Sequence, residues 1–257
     1  MFPSKSRWLP ALGLSGALAL GLFGCGGSSL SKPLGTNPND TNSERAFHAL
    51  VGVAGGKIDV IQRSVALNSQ PLAFGQGSSY VTVASGISVK TDAVQAGTQT
   101  QVAPEDSDTM NKSYFYTEVA SGVVGASGTM APRLFQLTDN FPTLTGSINA
   151  AVRLVNLSPN APPVSLYNTT GAPPTAVAIT GLVGVTYGNT SNFQNSAYIQ
   201  LTGGTYNLTV RDNAGNTLAT LSPQTLSATH SYTIFVTGLV APAAGQPAIG
   251  ATVVQDN

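Results

Sequence analysis

Only one cysteine, Cys25, occurs in the 257 residues. That excludes an internal disulfide framework and a thiolate-based metal site. Charge is scarce too: Asp, Glu, Lys and Arg make up 9% of the chain, where an ordinary domain has about 25%. Eleven basic residues balance eleven acidic ones. No basic face is left for nucleic-acid phosphates, and no electrostatic grip on an anionic membrane is available. The one tryptophan is Trp8, and the two histidines, His48 and His230, lie far apart in sequence. Long helical stripes are also missing, because Pro, Gly and Thr interrupt every candidate. With 28 Gly and 16 Pro, and polarity carried by Ser, Thr, Asn and Gln, the composition reads as many turns joined by short extended segments.

The first 24 residues have the layout of a secretory signal peptide. Lys5 and Arg7 precede an apolar stretch from Leu9 to Phe23, too short and too rich in glycine for a spanning helix. It ends in Leu22-Phe23-Gly24-Cys25, followed by Gly26-Gly27-Ser28-Ser29, which resembles the lipobox of bacterial lipoproteins. The resemblance implies cleavage before Cys25, a diacylglycerol on its thiol and an acyl group on its new amine. Several acyl chains give the stable membrane anchoring that one cannot. Gly26 is not the Asp of inner-membrane retention, so the outer membrane is the expected address. Residues 25–43 read as a lipidated cysteine and a tether, since Gly, Ser, Pro, Asn and Thr dominate with too little apolar surface to fold.

The rest reads as a diverged tandem repeat. Ala46–Val51 is matched to Ala151–Asn156, Ile58–Ile61 to Val164–Tyr167, and Phe74-Gly75 to Tyr187-Gly188. Tyr80–Gly86 is matched to Tyr198–Gly204, Tyr116 and Gly122 to Tyr232 and Gly238, and Arg133–Asn140 to Gly250–Asn257. Patterning within the units is β. Tyr206–Val210 alternates apolar and polar residues, Tyr232–Val236 is aromatic and β-branched, and Arg211–Asn216 carries a hairpin signal with Gly215. The expected fold is all-β: two tandem immunoglobulin-like or transthyretin-like β-sandwich domains, residues 44–141 and 148–257. Because the last predicted strand reaches Asn257, a C-terminal sorting signal is not expected.

In the second unit, Val152-Arg153-Leu154-Val155-Asn156-Leu157 runs into Ser158-Pro159-Asn160-Ala161-Pro162. Together with Tyr187-Gly188, Gly203–Tyr206 and Tyr232–Gly238, this resembles the bacterial DUF4397 family over about Ala151–Gly238. The first unit departs from the pattern, with Gly52–Gly56 in place of the Ser-Pro-x-Ala-Pro turn, and reads as a diverged copy. The resemblance implies a fold and a cell-envelope context. It supplies no catalytic residue.

Candidate chemical sites are sparse. His48, on the first strand of unit one, is matched to Arg153; His230 precedes a strand. Ser158 lacks a nucleophile-elbow context, and Asp212 reads as a turn residue bonded to its own backbone. Glu105-Asp106-Ser107-Asp108 is the densest acidic run. It is expected as a solvated loop, with calcium binding as the alternative. Asp139-Asn140 and Asp256-Asn257 are expected to end strands through Asx turns. Tyr80, Tyr116, Tyr198, Tyr206 and Tyr232 recur at strand positions, serving either packing or an exposed platform for sugar or protein. No catalytic residue, cofactor or metal is expected. The reading is a non-enzymatic envelope lipoprotein, structural or protein-binding, anchored through Cys25 with an envelope protein or glycan as partner. A carbohydrate-binding surface lipoprotein is the alternative.

Overall fold

The computed structural model describes residues 40–171, 176–188 and 197–257; the signal peptide, Cys25 and the tether before Asp40 lie outside them. The chain is all-β, with two pairs of sheets forming two tandem sandwich-like halves. In the first half the strands are β1 (Thr41–Val51), β2 (Lys57–Gln62), β3 (Val65–Ala66), β4 (Leu72–Ala73), β5 (Val81–Ala84), β6 (Gly86–Gln95), β7 (Gln101–Met110), β8 (Phe115–Val123) and β9 (Arg133–Thr138). The second half carries β10 (Asn149–Asn156), β11 (Val164–Asn168), β12 (Val177–Ala178), β13 (Ile199–Thr202), β14 (Gly204–Asp212), β15 (Thr217–Leu226), β16 (Ser231–Thr237) and β17 (Gly250–Gln255). The first strand begins at Thr41, two residues before the expected end of the tether.

The halves repeat one topology. Sheet orders are β5-β1-β8-β9 and β3-β2-β6-β7 in the first, β13-β10-β16-β17 and β12-β11-β14-β15 in the second. In each half the opening strand pairs in parallel with a late one, β1 with β8 and β10 with β16, inside an otherwise antiparallel arrangement. Each sandwich has its own core. Leu50, Ile58, Val60 and Leu67 are central to the first, and Leu154, Leu166, Leu208 and Ile234 to the second.

A third apolar cluster joins the halves, drawing Phe47, Val119 and Leu137 from the first and Val155, Leu157 and Phe235 from the second. Phe47 stacks on Phe235 with ring centroids 4.0 Å apart. The β1/β8 and β10/β16 strands are therefore buried on both faces, and all seven residues of β16 are buried. Strands covered on both sides lose the in–out alternation of a half-exposed sheet. This is why Val152–Leu157 does not alternate cleanly in sequence. The seventeen strands of the described residues belong to one compact unit.

Equivalent bonds give the internal alignment. The register places Arg45 beside Thr117 and Arg153 beside Thr233. Tyr116 Oη accepts from the Asn111 amide and Tyr232 Oη from the Ser227 amide, each at 2.9 Å. At Gly122 and Gly238, both at positive φ, an added Cβ would overlap the carbonyl of Ala131 or Ala248. These agree with the Tyr116/Tyr232 and Gly122/Gly238 matches. The first block is corrected by three residues: Arg45, not His48, is the counterpart of Arg153. His48 corresponds to Asn156, and each accepts a hydrogen bond from the amide two residues on, at 3.1 and 3.0 Å. An odd slip sends every side chain to the opposite face of a strand. Apolar residues on both faces of β1 and β10 hid the slip.

Candidate functional site

Two concentrations of ionisable side chains stand out, one at the seam between the halves and one inside the first sandwich.

The seam holds a closed ring of hydrogen bonds. Arg45 Nε donates to Thr117 Oγ1 (2.8 Å), which donates to Asp139 Oδ2 (2.6 Å). Asp139 Oδ1 accepts from Arg153 of the other half. Arg153 Nε donates to Thr233 Oγ1 (2.7 Å), Thr233 donates to Asp256 Oδ2 (2.8 Å), and Asp256 Oδ1 accepts from Arg45. Tyr80 and Tyr198 donate to Asp139 and Asp256 at 2.6 and 2.9 Å. Each guanidinium also lies over its own half's tyrosine ring, at 4.7 and 4.8 Å. All four charged residues are buried. Burial works against the guanidinium charges, yet the facing aspartates outweigh it and hold both arginines above their ordinary pKa. Asp139 and Asp256 are thus not strand-ending Asx turns. Their side chains cross the seam, because the last strand of each half delivers them beside the other half's arginine. Such fully paired charges orient two bodies against each other and leave no free group for proton transfer.

The second concentration lies between the sheets of the first half. Glu44 on β1 and Glu118 on β8 are buried. Glu44 accepts from Asn42 Nδ2 (2.7 Å) and from the Gln62 amide, and Glu118 Oε1 from Gln136 Nε2 at 3.4 Å. Glu118 Oε2 and Asn42 Oδ1 have no partner. Burial raises Glu44 to about 7 against its amide partners and nearby Arg63. Burial, with Glu44, Asp108 and Asp106 nearby, raises Glu118 well above the carboxylate range.

The acidic run is a strand, not a loop. Within β7, alternation separates Glu105, which pairs with Lys90 at 2.6 Å, from the half-buried Asp106 and Asp108. Those two line a groove of about 670 Å³ between β7 and β9, with Tyr114, Gln136 and Asn140. Burial and Asp106 raise Asp108 to about 6. Among the described residues no three His, Cys, Asp or Glu side chains converge to hold a metal ion. The alternation divides the run that suggested calcium.

Other candidates are dispersed. Burial lowers His48 to about 4, and its Nε2 has no partner. It borders a separate pocket with Phe74 and Pro247. His230 Nδ1 lies 2.9 Å from the Ala228 carbonyl, and Ser158 Oγ donates to the Gly238 carbonyl at 2.7 Å. Asp212 caps its own turn, accepting from the amides of Ala214 and Asn216. Tyr116 and Tyr232 are buried, Tyr80 and Tyr198 belong to the seam, and Tyr206 is half-buried. Sequence reasoning missed Arg45, Glu44 and Glu118. A recurring Arg, Tyr-Thr and Asp trio was the available signal for Arg45. No pattern marked the glutamates.

Comparison with known proteins bears on the first half. Residues 45–167 match the model of DUF4397, a domain of unknown function. The matched stretch starts at Arg45 and ends within β11, so a DUF4397 domain covers part of the chain. It falls mainly on the half that reads as diverged, rather than on Ala151–Gly238. No curated protein matches the chain. A solved structure described as a "putative cell adhesion protein" from Bacteroides eggerthii DSM 20697 is 12% identical over 84% of this chain and 95% of its own, with a TM-score of 0.18. Similarity at that level carries no argument about fold or role.

Proposed function

We propose that the protein is a non-enzymatic cell-envelope lipoprotein that presents a rigid pair of immunoglobulin-like or transthyretin-like sandwiches as a protein-binding module. The observation that carries this reading is the seam. Arg45, Arg153, Asp139 and Asp256 are consumed in mutual pairing, fixing the two halves as one body. Edge strands β7 and β9 stand at its side with half-exposed polar residues. A rigid scaffold with open strand edges suits contact with another chain. The tyrosine that bonds an upstream amide in each half resembles the tyrosine corner of immunoglobulin sandwiches, which supports that class. The lipobox resemblance at Cys25 supports lipid anchoring in the bacterial outer membrane, and the matched domain, read as one of two copies, supports a cell-envelope setting.

Placing a photo-crosslinking residue at Thr109 or Asn140 in intact cells tests the reading. A discrete adduct with one envelope protein is expected; the absence of any adduct contradicts it. Cys25→Ser tests the anchor. The variant should leave the membrane fraction, and unchanged fractionation removes the anchor from the account.

A further inference from the structure

The acidic interior of the first sandwich has an internal control in the second. By the strand registers, Asn42, Glu44, Glu118 and Gln136 occupy the positions of Ala150, Val152, Ile234 and Val253. In the second half those four belong to the apolar core or pack against it. The fold therefore requires no polar group at these places. Two carboxylates buried there oppose folding unless they are matched.

They are incompletely matched within the chain. Glu118 Oε2 and Asn42 Oδ1 are acceptors with no donor. Lys90 and Lys112 pair with other carboxylates, Glu105 at 2.6 Å and Asp40 at 3.6 Å. Arg63 acts on Glu44 only at a distance, while one of its nitrogens donates to the Ser85 carbonyl. Glu118 stands close enough to Asp106 and Asp108 for both to oppose its ionisation. Gln136, which holds its other oxygen, forms part of the groove wall. The unsatisfied carboxyl is thus buried behind Gln136, a lining residue of a groove whose lining carries two more carboxyls.

We propose that this groove binds an extended basic segment of a partner protein, seating a lysine ammonium between Asp106 and Asp108 in front of Gln136, with Glu118 in the interior behind it. The proposal rests on the protein-binding reading and names the chemistry of the partner. An ammonium brings three N–H donors to a site rich in acceptors. The walls are the edge strands β7 and β9, whose free backbone groups can pair with an added strand. In an extended segment every second side chain faces one side, the same repeat that places Asp106 and Asp108 together. Inward charges at an edge also discourage aggregation, but that role gives no reason for the buried Glu44 and Glu118.

Calorimetric titration of the full chain in detergent micelles tests this. The probes are a capped peptide of alternating Thr and Lys, its Glu-for-Lys counterpart, and calcium chloride alone. The lysine peptide should bind, and the other two should not. Asp106→Asn with Asp108→Asn should weaken binding at least tenfold. Glu44→Val with Glu118→Ile, copying the second half, should weaken it similarly while raising the melting temperature, so loss of binding cannot be ascribed to loss of fold. Undiminished binding by either variant, no binding by the wild type, or binding of calcium in place of the peptide overturns the proposal. If the cellular adduct at Thr109 survives in the Asp106→Asn, Asp108→Asn variant while the peptide fails, this proposal falls and the protein-binding reading stands.

Discussion

Asp139 and Asp256 close the last strand of each half, and each gives one carboxylate oxygen to its own half and the other to the arginine of the opposite half. The arrangement has approximate two-fold character. Whatever orients one half on the other is supplied twice, through residues that sit at equivalent places in the repeat.

Removing one arginine leaves an uncompensated buried carboxylate. Arg153→Met should destabilise the protein by about 3–5 kcal/mol. Adding Asp139→Leu should recover much of that, because the stranded charge goes with it. Denaturant unfolding of the single and double variants measures both. Equal losses would show that the ring contributes by packing rather than by charge pairing.

Gly238 combines positive φ with a close backbone neighbour, the Ala248 carbonyl. Gly238→Ala must strain the turn or push the following segment away. A loss of at least about 2 kcal/mol is expected. In a body of this size that is a fall in melting temperature of roughly 4–8 °C. Gly215, with the same sign of φ but open space around it, should tolerate alanine better.

The buried carboxylates make stability depend on pH. Glu44 is raised from 4.5 to about 7, so the folded state binds its proton more tightly than the unfolded chain does. Its contribution is complete below pH 4.5 and declines as pH rises to about 7, a span worth about 3 kcal/mol. His48, lowered from 6.5 to about 4, acts in the other sense: its contribution is present above pH 6.5 and is lost as pH falls through 4. Glu44→Gln should flatten the decline toward neutral pH, and His48→Asn, copying its counterpart Asn156, should flatten the acid limb. Thermal melts from pH 3.5 to 8 separate the two.

Tyr232 tests the equivalence of the halves. Its hydroxyl accepts from the Ser227 amide as Tyr116 accepts from Asn111. Tyr232→Phe and Tyr116→Phe should each cost about 1 kcal/mol, with additive effects in the double variant. Strong coupling between them would contradict their placement in separate cores.

Much of the architecture was legible in sequence. Tyr232–Val236 reads as a buried strand because β-branched and aromatic residues favour a pleated, covered surface, and it forms the centre of β16. The turn at Arg211–Asn216 reads as a hairpin because Gly215 reaches positive φ and Asp212 bonds ahead along its own backbone. These are local preferences, carried by neighbouring residues. The acidic run failed as a loop because the pairing of β7 with β6 overrode its poor strand propensity. The first repeat block slipped by three because a strand buried on both faces has no alternation to fix its register.

What the sequence alone determined was many of the extended segments, several of their turns and their repetition, since each depends on the preferences of a few consecutive residues. Only the tertiary structure decided that Arg45 meets Asp256, 211 residues away, and that Glu44 and Glu118 share one interior. Those meetings depend on which sheet faces pack together and on parallel pairing between distant strands. No local pattern encodes which distant carboxylate a buried charge will find.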